Sequence, residues 1–449
     1  MSTSKIAPGP KGIPFLGNLL EMRRDPMGLL MCSTEKYGGI VKLQLGPQFA
    51  FLLTKPDYLK HVYLDHSKNY LKQTKAWKVF QLIFGQGLLT SEGELWRKQR
   101  KLMQPSFHRE RIAGFVEVMK RTTQSMLEDW SKFENKKSFD LASEMMALTL
   151  EIVGETLLGT KMKHQAKGIA EALPIILEFT IYRTTRIVSL PLSFPTPKHR
   201  EFKRALKLLR DVARKVIQDR ISSQQENADL LSMLMAARDE VTGEGMSDEE
   251  LLDEVMTIFL AGHETTANAM TWAFYLLSQH PEVEVQIREE LAKVLQGRAV
   301  QFEDLPKLNY LERVIKEVLR LYPPAWFMGR LAMEDDVIDG YAIPKNSIVF
   351  LSPYVTQHQA EYWSDPEKFN PDRFLPENFS KQHRYAYIPF GAGPRQCIGN
   401  HFAMMEMQVI LAMILQKYHL SLAPGHEVAM DPQITLRPKD GMKMRLHKV

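Results

Sequence analysis

One cysteine stands where its neighbours favour a thiolate. Cys397 lies in the run Phe390-Gly391-Ala392-Gly393-Pro394-Arg395-Gln396-Cys397-Ile398-Gly399, ahead of a long helical pattern. The positive end of a helix favours a thiolate over a thiol. Glycines let the backbone come close to a flat ligand and turn its N–H groups toward the sulfur. Arg395 can pair with an acidic group on the same ligand. A thiolate beside a guanidinium is what a haem carrying two propionates requires. A lone cysteine is more often a small buried hydrophobe, but this ten-residue frame favours the ligand reading.

A second group sits inside the longest helical pattern, whose middle reads Phe259-Leu260-Ala261-Gly262-His263-Glu264-Thr265-Thr266. A glycine beside charged residues is costly in a buried helix unless something needs it. Glu264 and Thr265 offer a carboxyl and a hydroxyl side by side, a pair suited to moving protons. The plainer reading is a kink, with the threonine bonded back to a carbonyl and the glutamate paired to a surface lysine. Glu317 and Arg320, three apart on one helix face, describe by themselves a solvated ion pair. Trp96 and Arg100, four apart, equally describe a basic amphipathic helix with a core tryptophan. No H-x-x-x-H or His/Cys spacing suggests zinc.

These residues need a frame that is mainly helix. The central pattern opens at Ser247 with a capping box completed by Glu250, and persists to Ser278 before Pro281 forces a new start. At 1.5 Å per residue, ~32 residues span about 48 Å, enough to cross the molecule. Alternation from Ile40 to Thr54 predicts a β-hairpin turning at Gly46-Pro47, and Pro56 opens a short helix. Lys72 to Thr90, rich in bulky apolar residues, is expected to be irregular. Short strands are predicted at Val337-Ile338, Ile348 to Leu351, around Ile434 and from Met442 to Leu446. A doubly wound α/β sheet needs regular strand–helix alternation, which is missing.

The 449 residues contain no linker, low-complexity stretch or internal repeat, so one domain over 1–449 is expected, as a monomer. Two cysteines, Cys32 and Cys397, cannot build a disulfide framework and suit a reducing, cytoplasmic setting. The net charge of +5 is spread along the chain and gives no case for nucleic acid. Met1 to Ala7 is short and polar and runs straight into Pro8-Gly9-Pro10, so no membrane anchor is expected. Arg97, Lys98, Arg100 and Lys101, with Arg109 and Arg111 beyond, form a basic cluster that suits an acidic protein partner.

The Phe390–Gly399 run resembles the cytochrome P450 signature F-x-x-G-x-R-x-C-x-G, and four further segments are similar to motifs of that family. The resemblance implies a mainly α fold with a small β region, a long central helix over the haem and the cysteine loop beneath it. It implies haem b, with Cys397 as axial ligand of its iron and Phe390, Gly391, Gly399 and Ala261 around it. Ala261-Gly262-His263-Glu264-Thr265 matches the oxygen-activation motif, which gives Thr265 and Glu264 the delivery of protons from the solvent side. Trp96 and Arg100 match a W-x-x-x-R pair that holds a propionate, with Arg330 and Arg395 as further donors. Glu317 and Arg320 match E-x-x-R; with Arg373 of Pro371-Asp372-Arg373-Phe374 they form a structural triad behind the loop.

By the same resemblance an apolar substrate pocket includes Trp77, Phe80, Ile83, Phe179, Ala325, Trp326, Phe327 and Leu436. Lys72, Lys75, Arg183 and Arg186 could anchor an anionic head group, although solvation at the surface explains them equally well. The implied activity is a haem–thiolate monooxygenase that hydroxylates or epoxidises an apolar small molecule such as a fatty acid, terpenoid or steroid. It would take dioxygen, and electrons from an acidic ferredoxin or flavodoxin with its reductase. One alternative is a peroxide-using or isomerising relative, against which the Glu264-Thr265 pair speaks. The other is a haem sensor or carrier, for which no residues are left over to form a signalling domain.

Overall fold

The computed structural model describes residues 5–134, 137–223, 229–238 and 243–449. Its axis is the helix Asp248–Gln279, started by Ser247 in the expected capping box with Glu250 and by three acidic residues in its first turn. Polar residues do not keep this helix at the surface. Glu254, His263, Glu264, Asn268 and Thr271 are buried along with its apolar residues, so it runs through the core rather than along it. It packs against Leu141–Leu157, Pro197–Ser223, Asn309–Leu321 and Asn400–Leu415. The last of these is buried from Met405 to Leu415, apolar on every side but for Glu406 and Gln408, as befits a core helix.

To one side lies a five-stranded sheet in the order Ile40–Leu45, Gln48–Leu53, Ile348–Leu351, Met328–Ala332, Tyr70–Leu71. The expected hairpin forms its edge, with Leu45 opposite Gln48 and Gly46 at φ 62° in the turn. Only the contact between Gln48–Leu53 and Ile348–Leu351 is parallel. Near the C-terminus, Lys443–Lys448 pairs with Tyr418–Leu422 and Phe139–Asp140.

Two local expectations change. Lys75–Phe84 is a helix, where an irregular stretch was expected. Its aromatic and β-branched residues are weak helix formers, but Trp77, Val79, Ile83 and Phe84 are buried, and that packing overrides propensity. Ile434 lies between two short strands, Met430–Pro432 and Leu436–Pro438, rather than in one. No helix among the described residues is long and apolar enough to cross a membrane.

Candidate active site

The cysteine loop is held by its glycines. Gly391 and Gly393 have φ of 68° and 66°, in the left-handed region, and a Cβ on Gly393 would stand 1.9 Å from the Tyr63 carbonyl oxygen. The Cys397 N–H donates to the Phe390 carbonyl at 2.9 Å, which closes the loop. Three residues later the helix Asn400–Leu415 begins, so the sulfur lies at its positive end. Cys397 is exposed and lines a cavity. Burial raises the thiol pKa, and a hydrogen bond from Gly399 N–H with the charges of Arg100 and Lys72 pulls the other way.

That cavity separates the loop from the central helix. Ala261, Gly262 and Thr265 form one wall; Phe390, Gly391, Cys397 and Gly399 form the other. Ala261 is exposed in the middle of a buried helix because it faces this space.

Four cations also face it: Lys72, Arg100, Arg330 and Arg395. Arg395 pairs with Glu92 and lies 4.0 Å over the Trp96 ring. Arg100 donates to the Gln396 carbonyl at 2.9 Å, and Arg330 to the Gly329 carbonyl at 3.1 Å. Lys72 is buried, donates to the Leu89 carbonyl at 2.7 Å, and is driven well below its ordinary pKa by burial and by Arg330 and Arg395. Burial and the neighbouring guanidiniums likewise bring Arg395 down to about 10, against the pull of Glu92. Arg395 Nη1 is buried without a hydrogen-bond partner. Such a crowd of cations with an unmatched donor is costly unless anions join it. A flat group carrying two carboxylates, with a metal facing Cys397, fits this cradle. Sequence reasoning placed Lys72 among surface charges; its burial is set by the fold and leaves no local signal.

Thr265 and Glu264 point to different places. Thr265 faces the cavity, and its Oγ1 donates to the Ala261 carbonyl at 2.9 Å. Glu264 is buried behind the helix and accepts from Thr435 Oγ1 at 2.6 Å, while Asn268 donates to Thr435 at 3.1 Å. Burial raises the Glu264 pKa, and Thr435 and Arg437 offset part of this.

Of the eight expected pocket residues, Trp77 and Ala325 line the cavity and six do not. Phe80 packs between Trp77 and Phe84, and Ile83 belongs to the main core. Phe179 stacks on Phe202 at 4.0 Å. Trp326 donates to the Gln433 carbonyl, Phe327 packs on Phe350, and Leu436 is fully buried with its carbonyl accepting from Trp272. Neighbouring helices and the sheet claim these side chains before the cavity can. Leu88, Leu157, Ile258 and Phe402 line it instead. Lys75, Arg183 and Arg186 lie outside the cavity: Lys75 donates to the Arg186 carbonyl, and Arg186 covers the Tyr182 ring.

Behind the loop the triad is assembled. Glu317 receives Arg320 at 2.7 and 2.9 Å and Arg373 at 3.2 Å, with Glu317 and Arg320 fully buried. Gln357, which no sequence pattern marked, links it to the cysteine loop. Its amide donates to the Leu319 and Arg320 carbonyls and its oxygen accepts from Ile388 N–H, all at 3.0 Å. In the basic cluster, Arg100 turns into the cavity while Arg97, Lys101 and Arg111 are exposed. The side chain of Arg109 lies outside the described residues.

A mainly helical protein with a cysteine loop, a cation-lined cavity and a long helix across it has room and charge for a haem. Comparison with known proteins agrees: the family model for cytochrome P450 matches residues 7–444. Cyclooctatin synthase of Streptomyces melanosporofaciens is 37% identical over 96% of this chain and 93% of its own length. Pentalenene oxygenase of Streptomyces avermitilis is 32% identical over 97% and 96%. The crystal structure of the cytochrome P450DA heme domain superposes with a TM-score of 0.89 at 25% identity, over 99% and 98% of the two chains. The chain belongs to the cytochrome P450 family, and the protein is a haem-dependent monooxygenase.

Proposed function

We propose that this monooxygenase hydroxylates an apolar terpenoid skeleton, in a single haem b domain supplied with electrons by a ferredoxin or flavodoxin. The observation that carries the substrate class is the apolar part of the cavity lining, which includes Leu88, Leu157, Ile258 and Ala325. An uncharged hydrocarbon gains by burial there, and a carboxylate head group finds no partner among those four. The relatives named cyclooctatin synthase, cyclooctat-9-en-7-ol 5-monooxygenase and pentalenene oxygenase support the same class.

When bound, the haem supplies reductive activation of dioxygen and insertion of one oxygen atom into a C–H bond. Cys397 is the residue that would hold its iron as a thiolate, and the bound cation would favour loss of the thiol proton that burial otherwise retains. Trp96, Arg100, Arg330 and Arg395 take the propionates, joined by Lys72. Thr265 holds a hydroxyl at the cavity surface for proton transfer, and Glu264 is the nearby reserve. Ala261 and Gly262 keep the helix wall thin at the reacting centre.

Spectral titration of the ferric protein tests the substrate class. Cyclic terpenes should shift the Soret band with micromolar affinity, and fatty acids should bind at least tenfold more weakly. Tighter binding of fatty acids overturns this reading.

A further inference from the structure

Outside the haem cavity, three side chains bring metal-ligand atoms together. His61 opens the π-helix His61–Asp65, and the His66 N–H donates to the His61 carbonyl at 2.8 Å. A π turn sets residues five apart on one side, so the two imidazoles stack with centroids 4.0 Å apart and 13° between planes. This five-residue spacing is why a search for i, i+4 histidines passes over them. Asp336, on the strand Asp336–Ile338, faces both, 2.7 Å from His61 Nε2 and 3.8 Å from His66 Nδ1. One ligand atom from each of the three lies within 4.8 Å of the other two.

We propose that His61, His66 and Asp336 bind a divalent transition-metal cation of the zinc class. Tetrahedral zinc with bonds near 2.0–2.2 Å needs its donors ~3.3 Å apart, a value inside the range seen here. Two imidazoles and one carboxylate suit zinc and leave a fourth position for water. The ion takes the place of the proton between His61 and Asp336, which leaves to solvent.

The carboxylate is already oriented. Tyr70, itself buried, donates its hydroxyl to Asp336 Oδ2 at 2.7 Å, and Val337 N–H donates to Oδ1 at 2.7 Å. Burial opposes its charge, but the bonds from His61, Tyr70 and Val337 prevail, so Asp336 stays below the usual carboxylate range. A plain hydrogen-bonded cluster would satisfy His61 and Asp336 yet leaves the His66 ring with no hydrogen bond among the described residues. Parallel stacked rings hold their lone pairs in separate planes, so binding requires one ring to turn. His66, half exposed, is free to do so.

Such an ion ties the π-helix to a strand about 270 residues further along the chain. Tyr63, within that π-helix, lines the haem cavity with its ring 5.9 Å from the Arg330 guanidinium, so the tie stiffens one cavity wall from outside.

The test is zinc calorimetry on the chelator-treated, haem-loaded protein without an affinity tag, in a Cys32→Ser background. One zinc per chain should bind at micromolar affinity and raise the melting temperature. His66→Ala, at an exposed site, and Asp336→Asn should each weaken binding at least tenfold and abolish the thermal shift. Absence of binding below millimolar zinc, or binding unchanged in both variants, overturns the proposal.

Discussion

Glu264 accepts its hydrogen bond from Thr435, 171 residues away, and not from Thr265 beside it in sequence. Successive residues of a helix point about 100° apart, so the hydroxyl meets the cavity while the carboxyl meets the C-terminal hairpin. The two are therefore separable by mutation. Thr265→Ala should bind substrate and accept electrons, yet lose ~10²–10⁴-fold in the proton-assisted step and release more hydrogen peroxide per NAD(P)H. Thr435→Val strips Glu264 of its partner and should raise peroxide release in the same direction but by less. Coupling equal to wild type in both variants shows that protons travel another way.

The triad should act on stability. Glu317→Ala leaves Arg320 and Arg373 facing each other without a carboxylate, fully buried in the first case. Removing one partner of such a buried set costs roughly 3–5 kcal/mol. Urea unfolding should show this loss, together with low haem content because Gln357 joins the triad to the cysteine loop. Glu317→Ala with unchanged stability contradicts the role.

Two further carboxyls give stability a pH slope. Burial pushes both Glu254 and Glu406 up to about 8; Leu88 N–H in the first case and Thr266 in the second pull back only weakly. The folded state thus keeps protons that the unfolded chain releases above about 4.5. Stability from these groups is complete below that pH and is lost as pH rises toward 8, at up to about 1.4 kcal/mol per unit for each group. Glu406→Gln keeps the shape without the ionisation and should flatten the decline measured by denaturant unfolding from pH 5 to 8. An equal slope in the variant refutes the assignment.

Electron delivery should depend on the exposed face of the helix Gly93–Met103. The double change Arg97→Glu, Lys98→Glu should slow the first electron transfer from an acidic ferredoxin. Haem content and substrate affinity should stay intact. The wild-type rate should fall with added salt. A salt-independent rate that is equal in both proteins removes this face from consideration.

The sequence showed most clearly what is local. The cysteine loop, the capping box, the long helix and the edge hairpin carry their own turn and cap chemistry, and each stands where its residues predict. Less legible was anything decided by packing across the chain. Lys72 reads as a solvated lysine until the fold closes over it, and Gln357 has no motif at all. Six apolar residues assigned to the pocket are equally at home in the core, because apolarity does not tell a cavity wall from a packed interior. The His61–His66 pair needed a π turn, which periodicity arguments do not anticipate.

The central claim is that Cys397 holds the haem, and the absorption spectrum of the reduced, carbon-monoxide-treated protein tests it most directly. The wild-type protein should give the strongly red-shifted Soret band of thiolate-ligated haem. Cys397→His should move that band to the imidazole position or lose the haem altogether. A Cys397→His protein with haem bound and the wild-type spectrum would contradict the account.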